Sequence, residues 1–144
     1  MKIVINLSIK RHKMSLKYLG QKNILVVEDD AFNIQLIRSF LNKISDMKII
    51  SSSDGSEALQ IINSKKYTID MILLDLRMPI MSGEELLTRI RNHDEYNDLP
   101  ILIISVDDDN KNELRQLGAN DFIHKPFRID DLAQKISENF TEKV

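Results

Sequence analysis

The sequence predicts an α/β domain: a doubly wound, five-stranded parallel sheet in strand order 2-1-3-4-5, with five helices. Three observations lead there. Runs of four consecutive apolar residues at 24–27, 71–74 and 101–104 have the pattern of strands buried on both faces. Between and after them, apolar residues recur at helical intervals. The two patterns alternate strictly, and strands joined by helical crossovers must run parallel, with the right-handed rule leaving few topologies.

Taken in order, the first strand is ILVV at 24–27. Asp30 stands where it can cap a helix carrying Ile34, Ile37 and Leu41 on one side. A weaker strand falls at 47–50, followed by Asp54-Gly55-Ser56-Glu57, which reads as a capping box for a helix with Ala58, Leu59 and Ile62 inward. The third strand, 71–74, precedes Met78-Pro79, where proline cannot donate a ladder hydrogen bond. Ser82-Gly83-Glu84-Glu85 is a second capping box, opening a helix with Leu86, Leu87 and Ile90 inward. The fourth strand is 101–104, and its helix presents Leu114 and Leu117 before Gly118, the residue type that ends helices. A short strand at 122–123 and a helix bearing Leu132, Ile136 and Phe140 complete the set.

The 144 residues suit one domain. Zero cysteines exclude a disulfide scaffold, a thiolate zinc site and a cysteine nucleophile. The net charge of −2 hides an asymmetry, because residues 1–23 hold six Lys/Arg and no acid, leaving 14 basic against 22 acidic residues in the remainder. The expected division is a basic N-terminal extension over 1–22, disordered or forming an extra edge strand, and a domain over 23–144. Alternating Ile3, Ile5, Leu7 and Ile9 permit the strand, and Met14 is a second possible start. No apolar stretch reaches the roughly 18 to 20 residues of a membrane helix, and Lys10-Arg11-His12-Lys13 falls where a signal peptide would want a cleavage site. A cytoplasmic protein is expected.

In an open parallel sheet, ligands bind beyond the carboxyl ends of the strands where strand order reverses. The residues that end the strands here are Glu28-Asp29-Asp30, Asp75, Ser105 and Lys125-Pro126. Brought together, the Glu28, Asp29 and Asp75 carboxylates raise one another's pKa unless a cation intervenes, while Asp30 caps the first helix. Oxygen ligands few in number, with waters completing an octahedron, describe Mg²⁺ better than Ca²⁺ or zinc. A carboxylate beside such a metal can take a phosphoryl group as an acyl phosphate, and Asp75 on the central strand is the candidate. Ser105 and Lys125 would supply donors to the new dianion.

These residues resemble a response-regulator receiver domain. The likeness covers about residues 23–140 and rests on ILVVEDD (24–30), LLDLRMPIMSG (73–83), IIS (103–105) and KPF (125–127). The family is a standard example of the 2-1-3-4-5 order, so likeness and topology are one expectation, not two. The resemblance implies that Asp75 accepts a phosphoryl group from a phosphohistidine. Mg²⁺ would be held by Asp29, Asp75 and the backbone carbonyl of Arg77, with Glu28 reaching it through water. Ser105, Lys125 and Phe122 would form the switch; at that last position a tyrosine is frequent in the family, and a phenylalanine has no hydroxyl to fix its orientation. The peptide bond before Pro126 is expected cis. Arg77 and Asp107 flank the path of an attacking water, and an ion pair between them would prolong the acyl phosphate.

A histidine kinase or histidine phosphotransfer protein is the implied donor. A protein target would read the face around the fourth helix and fifth strand, residues 107–127, and the chain would be a monomer or a weak phosphorylation-dependent dimer. The chain stops soon after the last helix, which suggests a stand-alone receiver without an output domain or, alternatively, a receiver cut from a hybrid sensor kinase. No enzyme activity beyond its own phosphorylation and dephosphorylation is expected. A phosphohydrolase would want an acid two residues after its nucleophile, where Arg77 stands. A phosphorylation-independent interaction module would not need the complete acidic set. One short basic run is a weak signal for nucleic acid, so none is expected as partner, nor a membrane.

Overall fold

The computed structural model describes residues 15–107 and 110–141. The strands are β1 (Asn23–Val27), β2 (Lys48–Ser52), β3 (Met71–Asp75), β4 (Ile101–Ser105) and β5 (Asp121–His124). The helices are α1 (Ala31–Ile44), α2 (Gly55–Ser64), α3 (Gly83–Arg91), α4 (Lys111–Leu117) and α5 (Ile129–Thr141). Short 3₁₀ turns occupy Lys17–Leu19 and Asp94–Tyr96. All ladders are parallel, in the order β2-β1-β3-β4-β5, as the alternating pattern requires.

Each four-residue apolar run divides its side chains between two cores, because successive strand residues point to opposite faces. Leu25, Val27, Ile72, Leu74, Ile101 and Ile103 pack with α2, α3 and Leu114 of α4. Ile24, Val26, Met71, Leu73, Leu102 and Ile104 pack with α1 and α5. Burying one such side chain contributes about 1.5 to 3 kcal/mol, so these runs dominate the sheet's stability. β2, at an edge, is mostly half-buried, and it lies later in the chain than the apolar run alone suggests.

The caps form, with one difference in detail. Asp30 accepts from the Phe32 N–H at 2.9 Å, and Asp54 from the Glu57 N–H at 2.8 Å. The Glu57 carboxylate returns to the N–H and hydroxyl of Ser53, not to the cap itself. Ser82 accepts from the Glu85 N–H at 3.2 Å, while the Glu85 carboxylate pairs with Arg89 instead of closing a box. Gly118 ends α4 with φ of 113°, where a side chain would be strained. One helix face is corrected: Leu117 is 37% exposed, because only Leu114 of this short helix reaches the core.

Residues 1–14, with the alternating Ile3 to Ile9 pattern and Met14, lie outside the described residues. Residues 15–22, the described part of the expected extension, pack on the elements that follow. Leu16 is fully buried among the α1 and α5 side chains, and its N–H donates to the Ile44 carbonyl at 2.7 Å. The Lys48 N–H donates to the Lys22 carbonyl at 2.8 Å, and the Tyr18 and Ser137 hydroxyls lie 2.5 Å apart. This segment therefore ties α1, β2 and α5 together at the amino edge of the sheet. No helix among the described residues is long and apolar enough to cross a membrane.

Candidate functional site

β1 and β3 are adjacent in the sheet, with Val27 in register with Leu74, so their carboxyl ends deliver Glu28 and Asp75 side by side. Carboxylate oxygens of Glu28, Asp29 and Asp75 all lie within 4.8 Å of one another. Glu28 and Asp75 are buried, whereas Asp29 is exposed. Lys125, two strands away after β5, reaches between the buried pair: its Nζ is 3.0 Å from Glu28 Oε2 and 3.3 Å from Asp75 Oδ2. One ammonium thus pairs with two of the three clustered carboxylates, leaving negative charge in excess.

The electrostatics follow from that imbalance. Burial pushes the Glu28 carboxyl above its ordinary 4.5; the hydrogen bond from Lys125 opposes this, and the Asp75 charge adds to it. For Lys125, burial works to lower the pKa. The hydrogen bond to Glu28 and the two nearby negative charges prevail, so the ammonium is held above 10.5. Glu28 Oε1 also accepts from the Asp30 N–H at 3.2 Å and from Asn33 at 3.5 Å.

Ser105 ends β4 beside this cluster, with its Oγ accepting from the Asp107 N–H at 3.0 Å, while its carbonyl accepts from the Lys125 N–H at 2.8 Å. The Arg77 N–H donates to Asp75 Oδ1 at 3.1 Å, and the Arg77 guanidinium forms an ion pair with the Asp107 carboxylate. The pair helps line a cleft of about 420 Å³, together with Leu76, Glu84, Ser105 and Asn110. The Lys125–Pro126 bond is cis. Gly83 matters to the cleft floor: a Cβ there would lie 2.7 Å from Leu76 Cα and 2.9 Å from the Asp75 carbonyl, so the β3–α3 loop can fold this closely only over glycine.

The strand-end reading thus brings together Glu28, Asp29, Asp75, Ser105 and Lys125, with Arg77 and Asp107 paired beside them. Phe122 is apart from the carboxylates, half-buried under α4 against the core. Of the expected partner face at 107–127, residues 108 and 109 lie outside the described residues. Sequence reasoning missed one member of the cluster, Asn33, which reaches Glu28 from α1. Outside the cluster, Lys111 and Arg115 lie over the Phe122 ring. The four-residue spacing of those two cations on one helix was the available signal.

Comparison with known proteins agrees with this geometry. Residues 24–137 match the family model described as response regulator receiver domain. The transcriptional regulatory protein YvrH of Bacillus subtilis (strain 168) is 34% identical over 116 residues, covering 79% of this chain and 47% of that protein. The chemotaxis response regulator CheY4 of Vibrio cholerae superposes with a TM-score of 0.75 at 26% identity, covering 83% of this chain and 99% of that one. The receiver domain of the sensor histidine kinase PA1611 from Pseudomonas aeruginosa PAO1, solved with a magnesium ion in its active-site cleft, gives 0.70 at 26% identity, with 83% and 96% covered. The chain spans less than half the length of the first curated relatives it matches. With sheet order, strand-end chemistry and a family match across nearly all the described strands and helices in agreement, the chain belongs to the response regulator receiver domains.

Proposed function

We propose that this receiver takes a phosphoryl group onto Asp75 from a phosphohistidine, in a Mg²⁺-dependent reaction, and signals through the resulting change of its surface. The observation that carries the reading is three carboxylates, Glu28, Asp29 and Asp75, with oxygens within 4.8 Å of one another and one ammonium among them. That excess of negative charge at the switch point fits a divalent cation held by Asp29, Asp75 and the Arg77 carbonyl, with Glu28 behind. When bound, Mg²⁺ would neutralise charge on the entering phosphoryl oxygens.

An Asp75 carboxylate oxygen attacks phosphorus, the P–N bond to the donor histidine breaks, and its electron pair returns to the imidazole. Lys125 Nζ, 3.3 Å from Asp75, and the Ser105 hydroxyl donate to the phosphoryl oxygens. The donor is a histidine kinase or histidine phosphotransfer protein, and the target reads the α4–β5 face. The Arg77–Asp107 pair is anchored to the site at both ends, through Asp75 Oδ1 and Ser105 Oγ, and obstructs in-line water. Both side chains are largely exposed, so the pair contributes little to stability and its effect is kinetic.

Acetyl phosphate with Mg²⁺ should label the wild-type chain and leave Asp75→Asn unlabelled; labelling of that variant at the wild-type level would overturn the assignment. Arg77→Ala and Asp107→Ala should each lose the phosphoryl group several-fold faster, and unchanged lifetimes would remove the shielding role. A receiver within a longer sensor kinase is the second reading, favoured by the short span of the chain against its relatives.

A further inference from the structure

Phe122 lies in β5, half-buried, with its ring against the core beneath α4. Two cations of α4 cover that ring: the Arg115 guanidinium carbon is 4.8 Å from the ring centroid and Lys111 Nζ is 5.7 Å away. They are one helical turn apart and share a face. Leu114 is the one buried residue of α4, and the helix's carboxyl end is tied through the Gly118 carbonyl, which accepts from Arg91 Nε at 3.0 Å. A cation over an aromatic face is attracted by the ring quadrupole, more strongly where water is excluded. A ring that turned away alone would forfeit both contacts, and a helix that moved alone would do the same.

We propose that Lys111 and Arg115 are positioning residues that couple the Phe122 ring to α4, so that ring and helix shift as one body when Asp75 is phosphorylated. The inference rests on the phosphoacceptor reading above. It assigns to two cations the orientation-holding role that a ring hydroxyl would otherwise fill.

The test is amide NMR on the full chain, with beryllofluoride and Mg²⁺ as the probe. In the wild type, resonances of both β5 and α4 should shift on addition. In Lys111→Met/Arg115→Met, beryllofluoride affinity should stay within about threefold, because both side chains lie over the Phe122 ring. The β5 shifts should persist while the α4 shifts fall by half or more, with Arg115→Met alone intermediate. Arg115→Lys, which keeps a cation, should restore most of the α4 response. Full α4 shifts in the double variant would overturn the coupling while leaving the phosphoacceptor reading intact. No shift in the wild type at either element, or an equal response from Asp75→Asn, would remove both.

Discussion

α4 and α5 flank β5 on opposite faces of the sheet, and they are held very differently. α5 buries Leu132, Ala133 and Ile136, and its polar side is fastened as well. Lys135 lies 2.9 Å from Asp121 Oδ1, Asn139 donates to Asp121 Oδ2 at 3.0 Å, and Ser137 meets Tyr18 from the leader. α4 is seven residues long with one buried side chain, two cation–ring contacts and a glycine tether. Local stability follows such contacts, so the α5 side forms a fixed backing and the α4 side is the part that can yield. The surface change proposed to begin at Asp75 would therefore act first on the α4 side.

The sharpest way to break the contrast is to loosen the fixed side. Leu16→Ala opens a cavity between α1 and α5 and should cost about 3 kcal/mol. Thermal unfolding should register this as a Tm about 10 °C lower. Amide exchange should rise in α5 without rising first in α4; the reverse order would refute the contrast.

Arg91→Met tests the tether of the yielding side. The Arg91 guanidinium donates to the carbonyls of Gly118, Tyr96 and Leu99 and to Asn120 Oδ1, which also accepts from the Ile101 N–H. Losing it should cost about 2 kcal/mol, with exchange rising most in α4. An exchange pattern spread evenly over the sheet would instead make Arg91 a general structural residue.

A smaller effect concerns acid. Burial works to raise the Asp121 pKa, but hydrogen bonds from Lys135, Asn139 and the Phe122 N–H prevail, and the carboxyl is held below 3.8. A depressed carboxyl contributes stability that is complete above its unfolded value and is lost as pH falls through its folded value. Asp121→Asn should therefore be less stable at neutral pH and should show a shallower decline below about pH 3.8, followed by denaturant titration. An unaltered acid limb would mean that the α5 fastening is not electrostatic.

What was legible in the sequence, and what was not, has physical reasons. β1, β3 and β4 stand out because both their faces are buried, leaving no polar residue to break the run. β2 is displaced from its apolar run because an edge strand has less to bury. Glu28, Asp29, Asp75, Ser105 and Lys125 were readable as a group because a parallel sheet collects its strand ends at one edge. The partners within the group were not readable, since the Lys125–Glu28 contact spans 97 positions of chain. Leu117 was placed inward because a seven-residue helix gives too little periodicity to choose its face. Leu16, with only Leu19 beside it in a short run of serine, lysine and tyrosine, gives too little periodicity to mark it as core.

Leu16 also fixes where residues 15–22 meet the sheet. Its anchorage at Ile44 lies at the amino edge of the sheet, while Asp75 ends β3 at the carboxyl edge. Five residues of strand at about 3.3 Å each separate these edges by about 17 Å. In a chain begun at Ser15, a dye, affinity tag or immobilising surface joined to that end would therefore start from the side of the molecule opposite Asp75.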